Sequence, residues 1–432
     1  MFKHLSAAIM AMLPIVCVAQ EVWTYSDCLD YAREHNISIM KSQLNQRTSE
    51  YNLEESKAQW QPTLDFATTH GVTNYPWGEG DKTAYSSTYG LNAAWTVWNG
   101  GRRENTIRQN KLRADIDRLG TADLLRSLET DLLQVYFNIL YARESIGIYE
   151  EAVKVSRAQA ERACQLMEAG KISRVDYVQL NSQFEQDKYA LVNAGSTYDT
   201  RRMELKKILE LGIEPDITVA QAEWTSEQVL AALPPVDESY ALALKTDLRL
   251  QELDLEKAAS KLDIAIAGAA RLPQISLSAG VGSGYYAPGM AFGSSMKRNL
   301  SENIGLTLSI PILDGKKTKT AVARARVAEL DAQLDIDQRR TELAQLVENW
   351  YIDTRSAQSR YTAALSRLES AELSDRLTNE RFELGYVNTV ELLTAHNAVV
   401  EARHSLLQAK YMAMLGQKMI EFYRTAEVKF PE

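Results

Sequence analysis

The chain has 432 residues and a formal net charge of −9 at pH 7. This acidic balance excludes nucleic acid as the main partner, because nucleic-acid-binding chains present an excess of basic residues to the phosphates. A chain of this length would ordinarily form two or three domains.

The first residues predict a secretory signal peptide over 1–19. Basic residues at 3–4 precede an apolar run over 5–18, and Ala19 is a small residue at a suitable cleavage point. The run is shorter than the roughly 20 residues that a spanning helix needs. We therefore expect the mature chain to start at Gln20, and no later run predicts a transmembrane helix.

The cysteines give little information. Cys17 could indicate a lipoprotein, but residues 14–16 before it fit that signal poorly. Cys28 and Cys164 remain in the mature chain and could pair in an oxidising compartment. Because they fall on different predicted segments, two free thiols are the prediction.

The sequence is internally duplicated. The stretch "WQPTLDFATTHGV" matches "RLPQISLSAGVGS", with Pro273 following Pro62 by 211 positions. The stretch "LMEAGKISRVDYVQL" matches "FELGYVNTVELLTA", with Gly385 following Gly170 by 215 positions. A fixed offset of this kind indicates a repeated structural unit. The predicted repeats are 20–211 and 236–432, joined by a linker at 212–235.

Each repeat has the same predicted order, namely a helix, two strands, a long helix and a returning helix. In the first repeat these elements lie at 24–60, 63–75, 85–98, 101–168 and 174–211. In the second repeat they lie at 236–271, 274–286, 303–313, 316–383 and 389–425. A proline opens the first strand of each repeat, where the missing N–H costs little.

The long helices carry a coiled-coil seam. Apolar positions step by three and four residues, and this 3.5-residue period is typical of a coiled coil. The first seam is Leu125, Leu128, Leu132, Val135, Ile139, Ala142, Ile146, Tyr149, Val153, Ser156, Ala160, Ala163 and Met167. It recurs 215 positions later with more polar exceptions. A helix of some 68 residues is about 100 Å long.

The strands alternate apolar and polar residues. The apolar face includes Leu91, Ala93, Trp95, Val97, Ile275, Leu277, Ile304, Leu306 and Leu308. The opposite face includes Thr88, Asn92, Thr96, Ser276 and Thr307, and we expect Trp98 on that side. Segments of about ten alternating residues are typical of outer-membrane barrel strands. The polar face would then line a water-filled lumen.

A soluble β-sandwich would show the same alternation. Four strands interrupted by such long helices favour the barrel. Lipid does not tolerate open sheet edges, and known barrels have about eight strands or more. The chain must therefore oligomerise, and strand counting leaves two, three or four copies open.

Two pairs of motifs resemble those of the TolC-type outer membrane factors. The junctions "VWNGG" and "PILDGK" are similar to the family's apolar-(Asp/Asn)-Gly pattern. The hairpins "MEAGKISRVD" and "FELGYVNTVE" are similar to its glycine followed by an acid six positions later. The resemblance covers essentially the whole mature chain.

The resemblance implies an α+β membrane protein, a homotrimer with a twelve-stranded transmembrane β-barrel, four strands from each chain. A long α-helical coiled-coil tunnel would continue the barrel into the periplasm. The implied partners are outer-membrane lipid, a periplasmic adaptor (membrane fusion) protein and an inner-membrane pump of RND or ABC type. The protein would be a passive gated channel without cofactors and not an enzyme.

Two functions of such a duct remain open, efflux of small molecules such as drugs and type I protein secretion. We favour efflux, because it is the commoner pairing in the family. An alternative of another class is a periplasmic or surface structural coiled coil with a small adhesive sheet.

The resemblance also implies site residues at the periplasmic tip. An acidic gate ring would be formed by Asp176, Glu391 and Thr394, where Thr394 replaces a second acid of some members. Three carboxylates around an axis attract cations and raise one another's pKa. Adaptor docking would involve Gly170, Gly385, Tyr386, Val387 and Phe382, with Val387 where some members carry an arginine latch.

The strand-to-helix elbow is the last candidate site. Glycine would relieve the strain of turning a tilted strand into a helix. The elbow residues are Asn99, Gly100, Gly101, Asp314 and Gly315. The four histidines of the mature chain, His35, His70, His396 and His404, are predicted to be surface residues and not metal ligands.

Overall fold

The structure is a computed structural model that describes residues 22–77, 83–213, 216–286, 291–428 and 430. The predicted signal peptide and Cys17 lie outside the described residues. Parts of the two predicted strand-connecting loops and of the linker also lie outside them.

The described residues form six strands and ten helices. The strands are Val22–Trp23 (β1), Thr63–Asn74 (β2), Thr83–Trp98 (β3), Thr218–Val219 (β4), Gln274–Tyr285 (β5) and Ser301–Ser309 (β6). The helices are Tyr25–His35 (α1), Ile37–Ala58 (α2), Arg102–Glu168 (α3), Arg174–Ile208 (α4), Ser226–Val229 (α5), Val236–Thr246 (α6), Leu248–Ala269 (α7), Phe292–Arg298 (α8), Lys317–Glu383 (α9) and Thr389–Thr425 (α10). No helix in the described ranges is both long and apolar enough to cross a membrane.

The first helix of each repeat is broken, so the prediction of single helices at 24–60 and 236–271 was wrong. Asn36 ends α1 with φ −67° and ψ 121°, and Asp247 separates α6 from α7 with φ −63° and ψ 114°. The two breaks are 211 positions apart, the offset of the two strand-opening prolines. Asn and Asp favour such sites because their side chains compete for backbone groups. Asp247 accepts a hydrogen bond from the Leu250 N–H at 2.6 Å.

Four short elements were not predicted. β1 and β4 form a parallel two-stranded sheet that ties the start of the described chain to the linker. Helix α5 also lies in the linker, and α8 lies in the segment between β5 and β6. These elements are too short to show a periodic pattern in the sequence.

The four longer strands form one antiparallel sheet in the order β2-β3-β5-β6. Its register brings the predicted apolar residues onto one face. The cross-strand rows are Phe66–Leu91–Val281, Leu64–Ala93–Ala279–Ile304 and Trp95–Leu277–Leu306. Most of the large apolar side chains on β2 and β6 are exposed in the single chain. The sheet therefore offers an uncovered apolar face and two edge strands.

A β-bulge at the end of β3 changes the side on which Trp98 lies. Thr96 pairs with Ser276, but Trp98 pairs with Ile275, which leaves Val97 as the extra residue. An extra residue shifts the alternation of faces by one. Trp98 therefore lies in the row of the apolar Ile275, and the prediction that it points to the polar side was wrong.

The predicted coiled-coil seam is confirmed by burial. None of its thirteen positions in α3 is exposed, and Leu132 and Ile139 are fully buried. In α9 the polar seam position Thr354 is also fully buried. Its hydroxyl donates to the Trp350 carbonyl at 2.5 Å, so the polar group is satisfied inside the packing.

The chain divides into two compact units, and neither corresponds to one sequence repeat. Unit 1 contains the described parts of Met1–Ile37, Leu125–Leu242 and Leu346–Glu432. Unit 2 contains Ser38–Leu124 and Ala243–Gln345, and so holds the four-stranded sheet. Each repeat thus contributes to both units.

Both remaining cysteines are free thiols, as predicted. Cys28 is buried in α1 and Cys164 is half-buried in α3. Burial raises the pKa of the Cys28 thiol to about 12. A thiol that stays protonated is a poor nucleophile, so Cys28 is a packing residue.

Candidate functional site: helix hairpins and strand-to-helix junctions

The two helix hairpins in unit 1 turn through the same backbone motif. Gly170 has φ +68° and Gly385 has φ +77°, values that favour glycine. The Gly170 N–H donates to the Met167 carbonyl at 2.9 Å, and the Lys171 N–H donates to the Leu166 carbonyl at 2.8 Å. This is a Schellman motif, which satisfies the last carbonyls of a helix. The second hairpin repeats both bonds around Gly385.

Polar side chains cap the returning helices. The Ser173 hydroxyl accepts from the Asp176 N–H at 3.2 Å, and the Asp176 carboxylate accepts from the Ser173 N–H at 3.2 Å. This reciprocal pair is a capping box. In the second hairpin, Asn388 accepts from the Glu391 N–H at 2.9 Å. Both predicted gate acids therefore lie in the first turn of a returning helix.

Asp176 joins the two hairpins within one chain. The buried Thr389 hydroxyl donates to its carboxylate at 2.6 Å, across 213 positions of sequence. Hydrogen bonds from Ser173 and Thr389 hold the pKa of Asp176 below its usual range. This direction is opposite to the one expected for crowded carboxylates, because within the single chain hydrogen-bond donors surround this carboxylate.

Glu391 and Thr394 are exposed and lie one turn apart on α10. The Thr394 hydroxyl donates to the Val390 carbonyl at 2.7 Å, so it is bonded within its own helix. Among the described residues, the Glu391 carboxylate has no hydrogen-bond or ion-pair partner. Of the two predicted gate acids, Glu391 is therefore the one whose carboxylate is unpaired in the described part of the chain.

The predicted docking residues differ in environment. Phe382 is half-buried and packs on the small apolar cluster between the helices, formed by Ala163, Leu180 and Leu392. Tyr386 is 74% exposed, and Val387 is half-buried. Phe382 therefore holds the hairpin together, whereas Tyr386 is open to a partner.

In unit 2, the two strand-to-helix junctions are built alike. The Asn99 side chain accepts from the Arg103 N–H at 3.1 Å, and the Asp314 side chain accepts from the Thr318 N–H at 2.9 Å. Each acceptor is followed by two residues with positive φ, Gly100 and Gly101 in one junction and Gly315 and Lys316 in the other. The duplicated sequence thus produces the same turn twice, although a lysine occupies one left-handed position.

Arg103 is a junction residue that sequence reasoning missed. Its side chain is only 2% exposed, and its guanidinium lies 3.4 Å from the centre of the Trp60 ring. It donates to the carbonyls of Gln59 at 3.1 Å, Thr96 at 2.7 Å and Val97 at 3.2 Å. A cation bonded to three carbonyls and an aromatic face ties the helix start to the preceding strand and to α2.

Two histidines predicted to be on the surface are not. His396 is 4% exposed and lies 3.2 Å from the Asp187 carboxylate, while the half-buried His404 contacts the Tyr149 ring. Burial alone would raise the pKa of Asp187, but hydrogen bonds from His396 and its neighbours outweigh burial and lower it. The signal that could have found this polar layer was the interruption of the seam by polar residues such as Ser156.

A protein-family model identifies the family of this chain. The model of the outer membrane efflux protein family matches residues 28–210 and 239–414, most of the chain. The chain belongs to this family. The predicted resemblance to the TolC-type factors is confirmed.

Curated relatives agree with this family. BepC of Brucella suis, named an outer membrane efflux protein, is 21% identical over 95% of this chain and 87% of its own length. AprF of Pseudomonas aeruginosa, named an alkaline protease secretion protein, is 22% identical over 68% of this chain and 60% of its own length. The outer membrane protein TolC of Escherichia coli is 21% identical over 77% of this chain and 73% of its own length.

Solved structures share the fold. The crystal structure of CusC, described in terms of transmembrane channel formation, matches with a TM-score of 0.80 and 17% identity. The match covers 92% of this chain and 91% of that one. This outer membrane efflux protein is thus located in the cell outer membrane, with a large periplasmic part.

The contact between Asp176 and Thr389 predicts a local effect on this family member's hairpins. Thr389→Val removes the hydroxyl but keeps the shape, so the hairpins should separate more easily by about 0.5–1.5 kcal/mol. Amide hydrogen exchange in both hairpins should then accelerate by roughly 2–10-fold.

Thr394→Val is the matched control, because that hydroxyl bonds only within α10. Equal exchange rates in the two variants would show that the bond between Asp176 and Thr389 does not hold the hairpins together.

Proposed function

We propose that three copies of this chain form a passive, gated exit duct for small molecules such as drugs. In this proposal a periplasmic adaptor protein couples the duct to an energised inner-membrane pump of RND or ABC type. The observation that carries the proposal is the four-stranded sheet with its open edges.

Within the described residues, β2 and β6 each pair with another strand on one side only. Their free N–H and C=O groups would be costly in lipid, where no water satisfies them. Pairing of β6 with β2 of the next copy removes both edges. Three copies would give a closed barrel of twelve strands, and the polar strand face would line its lumen. The family resemblance favours three over two or four.

The helix hairpins are proposed as the periplasmic tip. Glu391, Asp176 and Thr394 would form the gate ring, with Glu391 as its free carboxylate. The glycines of the hairpins, together with Tyr386, Val387 and Phe382, would form the docking surface for the adaptor. The high exposure of Tyr386 supports a contact with another protein.

The strand-to-helix junctions are proposed as the elbow where the barrel becomes the tunnel. Five residues would form it: Asn99, Gly100, Gly101, Asp314 and Gly315. Their paired left-handed backbone supports this role, because it changes the direction of the chain within a few residues.

A second candidate function is the export of proteins. AprF is named for alkaline protease secretion, whereas BepC is named for efflux. Deletion of the gene separates the two, since loss of efflux increases drug sensitivity and loss of secretion removes a protein from the medium. We favour small molecules as the exported cargo.

The experiment that tests the duct uses the protein in membranes and in planar bilayers. We expect release from membranes only with detergent, a trimeric mass, and ion-conducting insertion events. Extraction by buffer alone would instead support a structural coiled coil, and insertion without conductance would contradict a duct.

Glu391→Ala tests the gate ring. Loss of three carboxylates should weaken block by divalent cations, and the half-blocking concentration should rise about tenfold. Single-channel recordings with Mg²⁺ titration measure this. Glu150→Ala, an exposed acid elsewhere on α3, is the control. Unchanged block would remove Glu391 from the constriction.

A further inference from the structure

The strand-to-helix junctions concentrate positive charge. Segments 99–104, 269–273 and 314–320 contain six basic and two acidic residues, in a chain with a net charge of −9. Five of the six basic side chains are exposed and are called the basic collar here. The basic collar is Arg102, Arg271, Lys316, Lys317 and Lys319.

The basic collar keeps an excess of positive charge, because its segments contain only two acidic residues, Glu104 and Asp314. Among the described residues none of its five members forms an ion pair, although 19 ion pairs occur elsewhere. The nearby Asp314 carboxylate is used to cap α9. Arg103 is excluded from the collar because it is buried against Trp60 and bonded to carbonyls. The exposed cations are therefore available to bind an anion from outside the chain.

The uncovered apolar face of the sheet ends at the basic collar. Ile312 is 96% exposed and Leu313 is nearly as open, and both directly precede the junction that contains Lys316 and Lys317. Trp60 and Trp98 are partly exposed at the same junctions. Tryptophans at the end of an apolar band mark the membrane–water interface, so the collar lies at the depth of lipid head groups.

Two cavities leave room for a ligand beside the basic collar. One of about 730 Å³ is lined by Arg102, Lys317 and Arg324 among others. The other, of about 460 Å³, is lined by Arg102, Leu272 and Pro311 among others. Arg102 borders both cavities. A phosphate group entering either cavity would meet a guanidinium that already faces open space.

We propose that the basic collar binds the phosphate groups of phospholipids in the periplasmic leaflet of the outer membrane. Acyl chains would lie on the exposed apolar residues of β6, and the head-group phosphate would contact Lys316, Lys317 and Arg102. This anchors the junction at a fixed depth in the bilayer. The proposal rests on the outer-membrane location and is independent of the exported cargo.

The test compares the wild-type protein with variants of the basic collar. Each delipidated protein is titrated with phosphatidylglycerol in detergent, and binding is measured by native mass spectrometry. Lys316→Gln with Lys317→Gln should raise the half-saturating lipid concentration about tenfold or more, the size expected for two surface lysines per chain. Arg271→Gln, on a separate segment, should weaken binding in the same direction. Raising the salt from 0.05 to 0.5 M should weaken binding by the wild-type protein, since exposed charges are screened.

The control is Lys111→Gln with Lys245→Gln, which removes two exposed lysines of unit 2 from outside the junctions. Its lipid binding should equal that of the wild type. Equal weakening by both double variants would overturn the proposal, since it would indicate a general charge effect. Displacement of the lipid by an equal concentration of inorganic phosphate would also overturn it, because the apolar contacts would then contribute nothing. Conductance in planar bilayers checks separately that each variant still assembles.

Discussion

Gly100→Ala should destabilise the protein far more than Gly315→Ala. Both glycines have positive φ, and a non-glycine residue there costs roughly 1–2 kcal/mol. Gly100 is also crowded, since an added Cβ would lie 2.7 Å from the Leu272 Cβ and 3.0 Å from the Ala269 carbonyl oxygen. Overpacking of this kind adds about 1–3 kcal/mol. Around Gly315, apart from its chain neighbours, no atom of the described residues lies within 4 Å of the added atom.

Urea unfolding in detergent, followed by tryptophan fluorescence, measures the difference. We expect a loss of about 2–5 kcal/mol for Gly100→Ala and about 1–2 kcal/mol for Gly315→Ala. Gly100→Val should be worse still and should prevent insertion into the outer membrane. Normal insertion and export by Gly100→Val would refute the role of this junction as an elbow.

Arg103→Ala should be the most damaging change of a charged residue at the junctions. It removes three hydrogen bonds from a cation to backbone carbonyls and the contact with the Trp60 ring, a loss of roughly 2–4 kcal/mol. Arg103→Lys should recover only part of this loss, because an ammonium cannot reproduce the planar fork of a guanidinium.

The matched control is the preceding residue. Arg102 is exposed, so Arg102→Ala should change the free energy of unfolding by no more than about 0.5 kcal/mol. Tryptophan fluorescence should also shift in Arg103→Ala, because Trp60 loses its stacked cation. Comparable stability of the two alanine variants would show that the buried guanidinium contributes little.

Much of the fold could be predicted because its patterns extend over many residues. The seam from Leu125 to Met167 has thirteen positions, and no tertiary contact is needed to recognise a 3.5-residue period. The strands were recognisable for the same reason, since two-residue alternation continues for ten residues. The break at Asn36 was missed because one residue with ψ near 120° leaves the hydrophobic period almost unchanged.

The site was predicted less completely than the fold. The turn glycines Gly170 and Gly385 were found from sequence, because positive φ strongly favours that residue. The hydrogen-bond partner of Asp176 was not found from sequence, because Thr389 is 213 positions away. The burial of His396 was missed because an isolated histidine on a long helix looks the same whether its neighbours are water or Asp187.

The sequence by itself determined the duplication, the order of elements, the seam and the two glycine junctions. Each of these follows from the local residue types or from the period of the apolar residues. Tertiary structure alone decided which of the two adjacent arginines is buried and on which side Trp98 lies. It also decided which of the two predicted gate acids has no partner among the described residues. The physical reason is that these properties depend on contacts between distant segments. Arg103 meets the carbonyl of Gln59 only after the sheet has formed, and one bulge reverses a side chain without changing the sequence pattern.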